Sequence, residues 1–346
     1  MTPSGCAPIL PPTRPRPRLV FVLAIPLLLA FGACGAPDEA GDIAPQASSA
    51  APDEAATADR PLPTADPFAR GYTREDFPRV QEIAPGVFTY EQLRSAGEEW
   101  FTTVSMFVVT DEGVLVADGQ GNLEETQRLV DHIADITAAP ITHLVVASDH
   151  GDHTGGNAAF PEDVRVWAHP TSAEQVAAAS PEGAGARPVT DRVDDRAEIT
   201  LGDRRIELHF LGRAHTGGDL AVYLPDDRVL FLSEAYLHRV FPAMRSAYPT
   251  EWVAMIERAQ AMDVDIYVPG HGFVDAPAVL EEELETFRQA IVAVIAEARR
   301  LHEGGVPMET AMEQATFGEF ESWSLRSSQG PRAVQQVYAE LEGRLR

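Results

Sequence analysis

The chain has 346 residues, 45% of them apolar, which is enough to form the core of one large domain or two modest ones. Acidic residues outnumber basic ones by 53 to 27, and the net charge of −26 argues against a nucleic-acid partner, because phosphate binding needs a basic surface. All basic residues are arginine and both cysteines, Cys6 and Cys34, lie near the N-terminus, so the body has no lysine or cysteine nucleophile and no disulfide.

Residues 1–34 have the pattern of an export signal. Three arginines precede an apolar run over residues 19–33, which is short for a membrane span and contains Pro26. The run ends in Phe-Gly-Ala-Cys, which resembles a bacterial lipoprotein cleavage site with Cys34 as the lipidated residue. A plain signal peptide and an uncleaved anchor remain alternatives. We therefore expect a bacterial protein that is periplasmic or tethered to the membrane by a lipid on Cys34.

Residues 35–70 are rich in alanine, proline, serine and acidic residues. Such a composition buries too little apolar surface to offset the entropy of ordering the chain. The sequence therefore predicts a disordered linker that ends near residue 70.

The body begins with strands and continues with alternating strands and helices. Strands are predicted from β-branched and aromatic runs, and helices from a periodicity of 3.6 residues. In the first half these are strands at Val87–Leu93, Thr102–Thr110 and Val114–Ala117, a helix at Leu123–Ile136, and a strand at Thr142–Ala147. In the second half they are strands at Arg165–Ala168, Ile206–Leu211, Ala221–Leu224, Val229–Leu232 and Ile266–Val268, and helices at Thr171–Ala179 and Glu251–Ala261.

Two further segments complete the prediction. Residues 180–196 are expected to form a loop, either a mobile flap or a tolerant connection. The tail from Pro277 is expected to be mostly helical, with one long helix through His302.

Potential metal ligands follow several of the predicted strands. A histidine and carboxylate cluster comes directly after the strand Thr142–Ala147, and single ligands follow later in the chain. Imidazole and carboxylate groups are zinc ligands, and a carboxylate can bridge two ions. Glycines beside the ligands allow the backbone to turn sharply. The six candidates are His150, Asp152, His153, His215, Glu234 and His271.

In order and spacing these residues resemble the metallo-β-lactamase superfamily over residues 77–275. Its main motif is His-x-His-x-Asp-His, followed by distant His, Asp and His ligands. The triplet His150, Asp152 and His153 matches the last three ligands of the motif, while His215 and His271 match the later histidines. The resemblance implies an α/β fold, a four-layer αββα sandwich, over residues 71–275, with a C-terminal helical extension over residues 276–346.

The same resemblance implies roles for residues behind the ligands and exposes two departures from the motif. Asp118 matches an acidic residue that ends an early strand and supports the site from behind. Ser148 stands where the first histidine is expected, and Glu234 where the family has aspartate. Asp149 is an open alternative as a substitute ligand.

If the family's ligand pattern is applied to the matching positions of this sequence, its two metal sites are unequally preserved. The first would keep only His150 and His215, whereas the second would keep Asp152, His153 and His271. Glu234 would either bridge the two sites or serve the second alone. We expect one or two Zn²⁺ ions.

The chemistry that follows is hydrolysis of a small-molecule substrate. Bound zinc lowers the pKa of its water to about 7, and the resulting hydroxide attacks a carbonyl or ester. Asp152 is the candidate for both binding metal and orienting that nucleophile. Arg239, Arg245 and Tyr248 are candidates for the substrate pocket, where an arginine would anchor a carboxylate. The bond could belong to a β-lactam, a lactone, a thioester, or a phosphate or sulfate ester.

Two other classes of function remain open from the sequence. The serine at position 148 is compatible with a non-catalytic metal- or substrate-binding protein on the same fold. A di-iron redox protein is a further alternative, although the body has no cysteine for an iron–sulfur centre. The remaining histidines are interpreted as structural: His132, His143, His169, His209, His238 and His302.

Overall fold

The computed structural model of the chain describes residues 64–179 and 187–345. Outside these described residues lie the expected export signal, the expected linker as far as residue 63, and residues 180–186 of the expected loop. Among the described helices, none has both the length and the apolar character needed to cross a membrane.

The strands of the described residues join into one mixed sheet of twelve. Most are short runs of β-branched and aromatic residues, as expected for half-buried and buried strands. They are β1 Arg79–Ala84, β2 Val87–Ala96, β3 Glu99–Val109, β4 Val114–Ala117, β5 Ile141–Val146, β6 Arg165–Ala168, β7 Asp191–Arg192, β8 Arg196–Leu201, β9 Arg204–His209, β10 Ala221–Leu224, β11 Val229–Leu237 and β12 Ile266–His271.

The helices lie between the strands and in the C-terminal quarter of the chain. The first begins at the cap Asn122, whose side chain accepts a hydrogen bond from the backbone of Glu125 at 2.9 Å. They are α1 Leu123–Ile136, α2 Gly151–Thr154, α3 Pro170–Ala179, α4 Pro249–Gln260, α5 Pro277–Glu303, α6 Met308–Gln314 and α7 Arg326–Leu341.

The sheet divides into two halves that meet at the ligand-bearing edge. Its order is β7-β6-β5-β4-β3-β12-β11-β10-β9-β8, and β2 extends it from β3 to β1. The halves join through β3 and β12, where the register contains the single pair Thr103 and His271. The pairs β4–β5 and β11–β12 are parallel, so the carboxyl ends of these strands lie at common edges.

Two hydrophobic cores define the layers. The smaller contains Leu129 of α1 and Val176 of α3 packed with strand residues such as Leu144. The larger contains side chains from both halves of the sheet and from α4 and α5, including Trp252 and Phe287. This is the helix–sheet–sheet–helix arrangement of an αββα sandwich, which confirms the expected fold class. The C-terminal helices share the larger core.

The predicted end of the linker, near residue 70, lies several residues inside the folded body. Ala65 is completely buried, and Arg70 forms a salt bridge with Asp275 at 2.9 Å while its guanidinium lies 4.2 Å from the centroid of the Phe273 ring. Residues 64–70 are therefore held by contacts made about 200 positions away, which their alanine- and proline-rich composition does not reveal.

Several element bounds coincide with those expected, namely β4, α1, β6 and β10. Two strands were not expected, β1 and β8, and the two-residue β7 lies in the segment expected to be a loop. Strand β11 is longer than expected and runs through Glu234, so this carboxylate projects from within a strand.

Candidate metal centre

Ligand-type side chains from four parts of the chain meet at the junction of the two sheet halves. His150 caps α2, which itself carries Asp152 and His153 immediately after β5. His215 lies in the connection between β9 and β10, Glu234 in β11, and His271 at the end of β12. All six candidates from the sequence are therefore brought together.

The first donor group consists of His150, His215 and Glu234. His150 Nδ1 lies 3.0 Å from Glu234 Oε2, and His215 Nε2 lies 3.2 Å from Glu234 Oε1. The two imidazole nitrogens are 3.0 Å apart. Three donor atoms from distant parts of the sequence thus converge on one point.

The second donor group consists of Asp152, His153, Glu234 and His271. His271 Nε2 lies 3.3 Å from both Asp152 Oδ2 and Glu234 Oε1. It is also 3.4 Å from His153 Nε2. Because Glu234 belongs to both groups, its carboxylate is placed to bridge two cations.

The lone pairs of the donor atoms would be satisfied better by divalent cations than by contacts among the donor atoms themselves. Two facing imidazole nitrogens can share only one proton, whereas a cation between them satisfies both lone pairs. His271 Nδ1 donates to the carbonyl of Thr102 at 2.9 Å, which leaves its Nε2 lone pair directed at the site. In His215 and His150 the nitrogens on the opposite side of each ring, Nδ1 and Nε2 respectively, are buried and have no hydrogen-bond partner among the described residues.

Asp118 supports the second group from behind, as the resemblance implied. One of its oxygens accepts hydrogen bonds from the backbone of Ala147 at 2.7 Å and Ser148 at 3.3 Å. The other lies 3.0 Å from His153 Nδ1 and accepts a hydrogen bond from the Ser233 hydroxyl. Asp118 and Ser233 both have positive φ, 61° and 48°, a conformation that costs free energy and is retained where surrounding contacts enforce it.

Ser148 contacts the site without joining either donor group. Its hydroxyl donates to Glu234 Oε2 at 2.5 Å. Asp149, the open alternative ligand, also lies outside both groups, and its Oδ2 accepts a hydrogen bond from Ser172 at 3.0 Å. The carboxylate of Glu234, rather than that of Asp149, therefore lies beside the position where the family has its first histidine.

A glycine brings β12 against β11 at the bridging carboxylate. A Cβ at Gly270 would lie 2.3 Å from the backbone carbon of Ser233 and 2.6 Å from the backbone nitrogen of Glu234. Any larger residue would push the strands apart. Gly272 then takes a φ of 89°, which turns the chain away after His271.

The electrostatics keep the carboxylates of the site ionised. Burial raises the pKa of Glu234, but the neighbouring His150, His215 and His153 outweigh burial and hold it well below its usual range. Attraction to Glu234 raises the pKa of His150 to about 9 against the cost of burial. For His271, burial is outweighed by hydrogen bonds with Asp152 and Glu234, which raise its pKa to about 10. The cluster thus holds excess protons that a cation would replace.

The site opens into two adjoining cavities. One, of about 160 Å³, contains ligands of both groups together with apolar side chains such as Phe101 and Leu237. The other, of about 450 Å³, is lined partly by Tyr248. His150 and Arg245 line both cavities. Two of the expected substrate residues, Arg245 and Tyr248, therefore lie beside the metal groups.

The third expected substrate residue, Arg239, does not lie beside the two donor groups. Its guanidinium pairs with Glu283 and lies 5.4 Å from the centroid of the Trp323 ring, and it lines neither of the two cavities. Its prediction as a substrate anchor was wrong, because a position after β11 did not show which way the side chain points. Conversely, Arg332 of α7 lines the smaller cavity and was missed, since it lies more than 60 residues beyond the last ligand.

The histidines interpreted as structural are absent from both donor groups of the described residues. His238 is the most buried of them, and its Nδ1 lies 2.7 Å from the carbonyl of Phe273.

Fold and site together are those of an αββα protein with a candidate metal centre. The family model of the metallo-β-lactamase superfamily matches residues 99–271, which is half of the chain and spans all six ligands. The chain belongs to this superfamily, and the resemblance seen in the sequence is confirmed.

Known relatives carry several different activities in their names. The chain is 28% identical over 193 residues to the alpha subunit of 2,4-dinitroanisole O-demethylase from Nocardioides sp., covering 53% of this chain and 57% of that protein. It is 21% identical to a type 2 metallo-β-lactamase from Bacillus sp., covering 60% of this chain and 82% of that protein. It is 24% identical to a linear primary-alkylsulfatase from Pseudomonas sp., covering 59% of this chain and 48% of that protein.

Solved structures support the fold. A metallo-β-lactamase from Pontibacter korlensis matches with a TM-score of 0.55 and 22% identity, covering 61% of this chain and 98% of that one. A metallo-β-lactamase from Hirschia baltica matches with a TM-score of 0.53 and 16% identity, covering 62% of this chain and 97% of that one.

Proposed function

We propose that the chain is an exported zinc-dependent hydrolase that cleaves an ester-like bond in a small molecule. The observation that carries this proposal is the pair of donor groups that share Glu234 at the floor of an open cleft. Histidine nitrogens and carboxylate oxygens are ligands that bind zinc. When bound, such a cation lowers the pKa of water and polarises the substrate oxygen.

The side chains around the donor groups have separate tasks in this proposal. The Asp152 side chain is 28% exposed, against 5% for Glu234, so Asp152 is the ligand-type carboxylate best placed to orient an attacking water. Glu234, buried and fixed by Ser148, holds the two groups together. The apolar side chains of Phe101 and Leu237 line the same cavity and would contact the apolar part of a substrate.

Cleavage of an activated aryl ether is a second candidate activity. Its support is the 28% identity to a protein named as an O-demethylase of 2,4-dinitroanisole, a compound whose electron-poor ring makes it open to attack by water. The same superfamily site could serve ester and aryl ether substrates, because fold alone does not fix the substrate.

Both candidates are tested in one screen of the zinc-loaded chain from residue 35 onward. The substrates are 4-nitrophenyl acetate, a chromogenic β-lactam, a linear alkyl sulfate and 2,4-dinitroanisole. We expect turnover of at least one, lost on chelation and in Asp152→Asn. Failure of the zinc-loaded protein on the whole panel would count against a hydrolase and in favour of a binding protein.

We also propose that the chain is carried to the membrane as a lipoprotein through Cys34. The support is the arginine-flanked apolar run that ends in Phe-Gly-Ala-Cys. In a bacterial host, Cys34→Ala is expected to release the protein from the membrane fraction, whereas Cys6→Ala serves as the control and remains membrane-bound. Membrane retention of Cys34→Ala would contradict the lipoprotein proposal.

A further inference from the structure

Helix α7 forms one wall of the metal cleft although it lies outside the segment that the family model matches. Gln329 and Arg332 of this helix line the smaller cavity together with the metal-binding side chains. Gln336, one turn further along, lines the larger cavity. The C-terminal region of the chain therefore contributes directly to the space where a substrate would lie.

This wall is fixed in place by contacts along its length. Before α7 begins, Ser324 bridges to Val240 and accepts a hydrogen bond from the backbone of Phe241 at 2.9 Å. Within α7, Gln336 Nε2 donates to the carbonyl of Ala247 at 2.7 Å. The segment after β11 and helix α7 are thus joined at both ends, which holds the cavity between them open.

Further contacts fasten both ends of α7. Near its start, the backbone of Leu325 donates to Glu99 Oε1 at 2.7 Å. Near its end, the hydroxyl of Thr250 donates to Glu340 Oε2 at 2.8 Å. Such a wall is preorganised, so a group bound to it loses little free energy to ordering the helix.

Two arginines of the cleft lack a carboxylate partner. The guanidinium groups of Arg245 and Arg332 make no hydrogen bond or ion pair with any of the residues that the structure describes. Many other arginines of this acid-rich chain pair with a carboxylate, such as Arg213 with Glu251 and Arg239 with Glu283. An unpaired guanidinium in a protein with a net charge of −26 is available to bind an anion from outside.

Apart from the arginines, the donor groups and Gln329, the lining of the smaller cavity is apolar. It includes Phe101, Leu237 and Val240. An aromatic or aliphatic body would be desolvated favourably against these side chains.

We propose that Arg245 and Arg332 bind an anionic group of the substrate, a carboxylate or sulfonate-type oxyanion, carried on an apolar or aromatic body. This inference rests on the proposed function, because it takes the bound molecule to be the substrate of the hydrolase. It assigns to α7 a part in selecting that substrate. The chain as a whole repels anions, so recognition of one at this cleft needs local positive charge. Arg332 and Arg245 are the two arginines that line the described cleft.

Equilibrium binding tests this proposal without any need for turnover. The zinc-loaded chain from residue 35 onward is titrated calorimetrically with 4-nitrobenzoate and with its neutral partner 4-nitrobenzamide, and likewise with benzenesulfonate and benzenesulfonamide. The variants are Arg245→Gln and Arg332→Gln. The control is Arg299→Gln, an exposed arginine of α5 that also lacks a partner among the described residues and lies outside the cleft.

We expect each cleft variant to weaken binding of the anions roughly fivefold or more, with little effect on the neutral amides, because a charge-assisted contact is lost. The double variant should lose more, Arg332→Lys should recover part of the loss, and Arg299→Gln should match the parent chain. A preference for benzoate over sulfonate, or the reverse, identifies the oxyanion.

The proposal is overturned if the anions bind the parent and both cleft variants equally, which would mean that the zinc alone holds them. It is also overturned if the amides lose as much affinity as the anions, since that indicates distortion of the wall. An inactive hydrolase that still shows the arginine-dependent preference would refute the proposed reaction and leave the anion site standing.

Discussion

The hydroxyl of Ser148 donates a 2.5 Å hydrogen bond to Glu234 Oε2, and both residues depart from the superfamily pattern. The family has a histidine and an aspartate at these two positions. The smaller serine leaves space that the longer glutamate occupies, so the two departures are complementary. Glu234 consequently reaches both His150 and His271, at 3.0 and 3.3 Å.

Exchange of this pair for the family residues is the first test. Ser148→His alone should weaken zinc binding and lower the melting temperature, because Ser148 is completely buried and an imidazole would collide with Glu234. The double variant Ser148→His with Glu234→Asp should recover zinc binding, since the shorter acid makes room for a third imidazole. Zinc stoichiometry and thermal unfolding measure both effects. Strictly additive losses would show that the two positions do not compensate for each other.

Asp118 is expected to act through His153. In Asp118→Asn, an amide donor can replace the oxygen that lies 3.0 Å from His153 Nδ1, so the ring loses its orienting acceptor. Zinc affinity should fall by roughly tenfold to a hundredfold, the usual effect of removing such a partner. Competition with a chromogenic chelator measures it. Asp131→Asn, on the exposed face of α1, is the control, and an equal affinity in the two variants would contradict the role of Asp118.

Glu91 should make stability depend on pH. It is completely buried, and burial raises its pKa to about 7 although Arg79 donates to it at 2.7 Å. Its ordinary value is 4.5, so between these two values the folded state holds the extra proton. The stabilising contribution is full below pH 4.5 and is lost as the pH rises to 7, an effect of about 3 kcal/mol.

Denaturant unfolding of the parent and Glu91→Gln at matched pH values isolates this effect, because the other titrating groups are common to both. The free energy of unfolding of the parent should fall relative to the variant between pH 4.5 and 7. A difference that stays constant over this range would mean that Glu91 remains ionised in the folded protein.

His271 should be needed for metal binding in a way that a structural histidine is not. His271→Ala removes a donor that lies within 3.4 Å of three other ligand side chains, so zinc content and any hydrolysis should fall together. His143→Ala, on β5 and outside both donor groups, is the control. Full zinc content in His271→Ala would remove this residue from the site.

The ligand cluster could be predicted from the sequence because its signals are local. His150, Asp152 and His153 stand together after an apolar strand, and the glycines beside His271 mark a sharp turn. The parallel pairing of neighbouring strands then brings such ends together. Strand β8 was missed although its sequence, Arg196–Leu201, alternates polar and apolar residues with the period of a half-buried strand.

Features made by distant contacts could not be predicted in this way. The burial of Ala65 and the salt bridge of Arg70 depend on residues near position 275. The place of Arg332 depends on how α7 packs along the segment after β11, which no periodicity encodes. The direction of the Arg239 side chain was decided by Glu283, 44 residues later.

Metal content, measured by elemental mass spectrometry on the chain purified without its leader and without chelator, tests the central claim most directly. We expect two zinc ions per chain. We also expect a chelator to remove them stepwise, with the ion at His150 and His215 lost first because that group has three donor residues against four. A folded protein that binds no zinc, even after zinc is added, would contradict the proposal of a zinc centre.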